Sequence, residues 1–188
     1  MYRKLMRWTL LILIILAALY TVWPSVAGAL DISISGDVTE NRSVTASDGS
    51  CRTNGVTLVV DYGADSGKTA EVVCVTGFGN SASDSGWNLF AAANQTVAGT
   101  VDYPTGFVCR INGYPSSKEA TCASTSNLGP GRWVYFKAVD SHGWAYSHIG
   151  AALDKPACGN WEGWRYVEAG NPATSVPGIN PKPFKCSN

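Results

Sequence analysis

Six cysteines, Cys51, Cys74, Cys109, Cys122, Cys158 and Cys186, constrain this 188-residue chain more than any other feature, and all of them lie beyond residue 50. None forms a C-x-x-C pair, and only His142 and His148 could join them as zinc ligands. An even set of this kind, in a chain that leaves the cell, reads as a disulfide framework and not as a metal site. Spacing favours two local clips, Cys109–Cys122 and Cys158–Cys186, which leaves Cys51 with Cys74.

Export is written at the N-terminus. Arg3, Lys4 and Arg7 precede the apolar run TLLILIILAALYTVW, and small residues follow, with Ala27-Gly28-Ala29 as an A-x-A cleavage site. That order is a secretory signal over residues 1–29. The rival reading is an uncleaved anchor, because Trp8 to Leu30 is uncharged over 23 residues, long enough to span a bilayer. Either way the rest is secreted or held at the cell surface. Cleavage would remove three of the 14 basic residues and none of the 14 acidic ones, a net charge of about −3. No basic patch remains for nucleic acid.

Residues 30–50 are polar and Ser/Thr/Asp-rich, with one short alternating run at 31–35, and read as a spacer that can add an edge strand. Residues 169–188 form an extended tail with Pro172, Pro177, Pro181 and Pro183. Between them, GVTLVVDYG (55–63) and TAEVVCVTGF (69–78) alternate as strands about the turn ADSGK. The segment 81–95 then changes to helical spacing through Trp87, Phe90, Ala91 and Asn94, with Ser83, Asp84 or Ser85 as cap. Strand-like material returns at 96–103, 106–113, 132–139, 144–149 and 163–167. The pattern is α+β: a sheet wrapped on a single helix. Both faces of RWVYFKAV are apolar, so that strand is expected to be covered on both sides.

Several suggestive motifs fail on geometry. GADSGKT (63–69) places three residues between its glycines where a P-loop needs four, and a strand follows where a helix N-terminus is required. Asp140, Ser141 and His142 sit on one turn and cannot form a hydrolytic triad, and no G-x-S-x-G elbow exists. Four acids, Asp102, Asp140, Asp154 and Glu162, lie near aromatics as glycosidase carboxylates would. Glu162 is the most unusual, held between two tryptophans in WEGWRY, and its simplest role is to bind a neighbouring amide or Arg165.

The set GVTLVVDYG, GFVCRING with a nearby cysteine, RWVYF, GWAYS and EGWRY resembles the transcobalamin C-terminal-like domains of exported actinobacterial proteins. The resemblance covers residues 51–168. It departs at Arg132 and Phe136, which stand where the family strand carries aromatics at both ends, and at Cys158 and Cys186, which add to the usual four cysteines. It implies a β-grasp-like fold, with the tail pinned back by the extra cysteines, and ligand binding without catalysis or cofactor.

The expected function is therefore an exported binding module for a corrinoid or another ring-bearing molecule, acting alone or with a membrane transporter or envelope protein. Its expected site is the aromatic surface around Trp144, Tyr146 and the 140–143 loop, joined by Trp133, Tyr135, Glu162 and Trp164. Aromatic faces give such ligands large contact area at little entropic cost. Two rivals stand beside it: an envelope interaction domain whose aromatics are all core, and a small secreted glycoside hydrolase using Asp140 and Glu162.

Overall fold

The computed structural model describes residues 42–126, 129–168 and 174–186. The N-terminal signal and the alternating run at 31–35 lie outside the described residues.

Six strands form one mixed sheet: β1 (Thr45–Asp48), β2 (Val56–Asp61), β3 (Glu71–Thr76), β6 (Arg132–Ala138), β7 (Ala145–Tyr146) and β8 (Trp161–Val167), in the order β1-β3-β2-β8-β6-β7. A separate two-stranded ribbon pairs β4 (Val97–Gly99) with β5 (Val108–Ile111). The helix α1 spans Asn88–Ala92. Local hairpins account for β2–β3 and β6–β7, and a 3-10 turn, Ala64–Ser66, joins the first pair within ADSGK, as the sequence predicts. The long-range step is β8, which enters parallel to β2 and antiparallel to β6 and so closes the centre of the sheet.

Alternation sorts the side chains onto two covered faces. On one, Val56, Leu58 and Val60 of β2 with Tyr62 just after it, Trp164 and Tyr166 of β8, and Trp133 and Tyr135 of β6 pack against Leu89 and Phe90 of α1. On the other, Val59, Trp161 and Ala138 pack with Trp144 and Ile179. Val134 and Phe136 join Val167 there, so β6 is covered on both sides as its sequence requires. The second cover is partly the C-terminal tail. Pro177 is buried, the Gly178 amide donates to Asp61 Oδ2 at 2.7 Å, and the Trp144 indole donates to the Ile179 carbonyl at 2.7 Å.

Three disulfides join Cys51–Cys74, Cys109–Cys122 and Cys158–Cys186. The last anchors the tail beside Gly159, whose φ of 90° suits glycine and where a Cβ would come 1.9 Å from the Phe184 carbonyl oxygen. The three bridges suggest an oxidising, extracellular setting, and among the described residues no helix is long and apolar enough to cross a membrane.

Two boundaries differ from the sequence reading. The sheet begins before Cys51, because β1, inside the polar spacer, pairs along β3. The helix is shorter than 81–95 because residues 79–84 are taken by a turn: Asp84 accepts the amides of Gly79, Asn80 and Ser81. The helical turn starts only where Ser85 Oγ accepts the Asn88 amide at 3.1 Å.

Candidate functional site

The open part of the molecule is built around β7. This strand ladders with β6 only at Phe136–Tyr146 and Lys137–Ala145. One further bond runs from the Ser147 amide to the Tyr135 carbonyl at 3.0 Å, after which the chain peels away from β6. The strip 146–149 therefore stands as a wall between two clefts. The first, about 420 Å³, lies between this wall and the start of β6, and Phe107, Trp133, Tyr135, Tyr146 and Trp164 line it. The second, about 510 Å³, lies on the other side, with Lys137, Asp140, His142, Trp144 and Tyr146 among its lining.

Apolar side chains stay exposed along this wall and nearby: Tyr146 at 40%, Ile149 at 50%, Val139 at 58% and Phe107 at 36%. Trp144 is half-buried. Its ring lies over Gly163 of β8, where a Cβ would come 2.7 Å from Cζ3, and it meets Trp161 edge-on with ring centres 6.3 Å apart. The glycine in WEGWRY thus gives the indole a flat seat.

Beneath the first cleft, the core face holds a polar cluster. Lys137 and Glu162 are register partners across β6 and β8. The Tyr135 hydroxyl lies 2.6 Å from Asp154 Oδ2 and also contacts Glu162 Oε2, while Lys137 Nζ donates to Asp154 Oδ1 at 2.5 Å. Asp154 is brought there by the turn after the wall, where its amide donates to the Gly150 carbonyl and its own carbonyl accepts the Gly86 amide. Glu162 is fully buried, and its Oε1 has no hydrogen-bond partner among the described residues. Burial pushes its carboxyl up to about 8, helped by the nearby Asp154 charge and opposed by Tyr135 and Lys137. Burial and the same two carboxyl groups hold the Tyr135 phenol far above its usual range.

No protein-family model, curated protein or solved structure matches the chain. Of the six residues expected to contact a ligand, Trp133, Tyr135, Trp164 and Tyr146 line the first cleft, and Trp144 and Tyr146 the second. Trp133, Tyr135 and Trp164 are largely buried and offer edges at most, whereas Tyr146 is open to solvent. Glu162 lines neither cleft. The acids paired for a hydrolase do not meet in either cleft: Asp140 is exposed against His142 Nδ1 at 2.8 Å, and the carboxyl that joins Glu162 at Tyr135 is Asp154. Sequence reasoning missed Phe107 and Ile149, because nothing in the chain marks which apolar residues the wall leaves uncovered.

Proposed function

We propose that this chain is an exported, non-enzymatic binding module of β-grasp-like architecture, whose ligand sits on the aromatic wall formed by β7 and the residues after it. A β2–β3 hairpin, one α-helix among the described residues and a parallel β2–β8 pairing support the fold assignment. The observation that carries the function is the pair of clefts sharing Tyr146, the most exposed aromatic in either lining. Both are open and mixed in character, which suits a flat, ring-bearing molecule laid against the surface more than one enclosed in a cavity. A corrinoid is the first ligand class to try.

The exposed set Tyr146, Ile149, Val139 and Phe107 also favours a second reading, docking to an envelope protein or transporter, since clustered apolar exposure often marks an interaction surface. Tryptophan fluorescence titrated with cobalamin, related tetrapyrroles and small glycans, corrected for inner-filter absorption, separates the two. A saturable change with one ligand class supports the binding module. No change across the panel favours docking.

A further inference from the structure

The polar cluster has a chemistry that small-molecule binding does not use. The Tyr135 hydroxyl carries one hydrogen but touches a carboxylate oxygen of both Asp154 and Glu162, so one of those carboxyl groups must itself be protonated. Asp154 already faces the Lys137 ammonium. The protonated acid is then Glu162, which is fully buried with Leu58 and Lys137 as its cross-strand neighbours. This arranges an unbroken chain: Glu162 donates to Tyr135, Tyr135 donates to Asp154 Oδ2, and Asp154 Oδ1 accepts from Lys137 Nζ. An amine, a carboxyl carbon and a buried acid are thereby held together.

We infer that Lys137 and Asp154 condense into a side-chain amide, an isopeptide cross-link between β6 and the 150–154 turn, with Glu162 as the proton relay and Tyr135 as its conductor. In the step, the ammonium gives a proton to the aspartate and Nζ, now a free amine, adds to Cγ. Oδ2 takes one proton from Glu162 through Tyr135 and a second from Oδ1, which re-forms the carbonyl, and the extra proton left on the nitrogen passes by way of the departing water and Tyr135 back to Glu162. The Nζ–Cγ bond forms, the Cγ–Oδ2 bond breaks, and one water leaves. Both of its hydrogens come ultimately from the ammonium, so no oxidant or co-reactant is needed.

Three observations carry this. The pair is pre-positioned, and well-oriented intramolecular partners react as though present at about 10⁵–10⁸ M. Asp154 is 3% exposed, so the existing ion pair bears a desolvation cost that a neutral amide removes. Finally, Glu162 Oε1 is buried with no hydrogen-bond partner among the described residues, as suits a neutral acid whose other oxygen meets Tyr135. Lys137 lines the second cleft, which gives the released water a way out.

The test is the intact mass of the purified chain, disulfides reduced, compared with Lys137→Arg after incubation at neutral pH to constant mass. The expected result is a wild type lighter by one water beyond the mass change of the substitution, and a digest containing one branched peptide that joins the two segments. A difference equal to the substitution alone overturns the proposal. Glu162→Gln keeps shape and neutrality but cannot pass a proton, so it is expected to keep the circular dichroism of the wild type and to regain the water. A folded Glu162→Gln chain that still carries the branched peptide overturns the relay. Should that variant not fold, the wild-type mass still decides the cross-link.

Discussion

Single residues set both the rigidity of the domain and the shape of its open side. Arg42 and Asp84 make a two-pronged ion pair, with both N–O distances 2.6 Å, beside a turn whose three amides also point at Asp84. Burial alone would raise the Asp84 carboxyl, but Arg42 and the Gly79 and Ser81 amides outweigh it and hold it below the ordinary value of 3.8. An acid lowered on folding stabilises the fold above its unfolded value and loses that contribution as pH falls through its folded one. Arg42→Ala should therefore cost about 1–3 kcal/mol near neutral pH, since Arg42 is only partly buried and Asp84 keeps its three amide donors, and the gap to wild type should shrink at acid pH. Urea midpoints measured from neutral to acid pH check both parts. Gly163→Ala should cost about 1–3 kcal/mol, because its Cβ would displace the Trp144 ring and press on Pro177 at 3.0 Å. Denaturant midpoints, read beside a red shift in tryptophan emission, would show it. At this scale the sequence was only half legible. WEGWRY marks Glu162 as unusual, but Tyr135 lies 27 residues away and reaches it through the β6–β8 register, while Asp154 joins Tyr135 from the 150–154 turn.

At the scale of elements, alternation located every strand except β1, and the two-sided apolar pattern of RWVYFKAV reported its burial correctly. The ends were less readable. Residues 96–103 and 144–149 read as full strands, but only Val97–Gly99 and Ala145–Tyr146 enter a ladder. In the first, the chain bends into a turn at Tyr103 that the Thr100 hydroxyl braces. In the second, the peeling away from β6 opens the clefts, so the same irregularity that shortens β7 creates the candidate site. The tail is an element in its own right, held by Cys158–Cys186, Phe184 on Gly159, and Ile179 on Trp144. Replacing both Cys158 and Cys186 by Ala should lower stability by about 2–4 kcal/mol. It should also let the tail lift from Trp144, which increased acrylamide quenching of that indole would report. If quenching stays at the wild-type level, the tail is seated by its packing and the bridge is dispensable.

At the scale of the whole molecule, the disulfide framework followed from an even cysteine count and the spacing of two local pairs, and all three bridges form as expected. The start of the domain was harder to place. Residues 42–50 look like a polar spacer because β1 is an edge strand whose side chains are mostly exposed, and hydrophobic alternation cannot reveal a strand that buries little. The parallel joining of β2 to β8, about a hundred residues apart, was equally invisible to local patterns. That joining nevertheless places Trp164 under one cleft and Gly163 under Trp144, so the candidate site depends on the most distant contact in the sheet. Binding at the β7 wall is tested most directly by repeating the ligand titration on Tyr146→Ala beside Val101→Ala, the latter exposed but lining neither cleft. Loss of an anchoring aromatic costs about 2 kcal/mol or more, so affinity should fall at least about tenfold in Tyr146→Ala and hold in Val101→Ala. Equal affinity in wild type and both variants would contradict a ligand site on this wall.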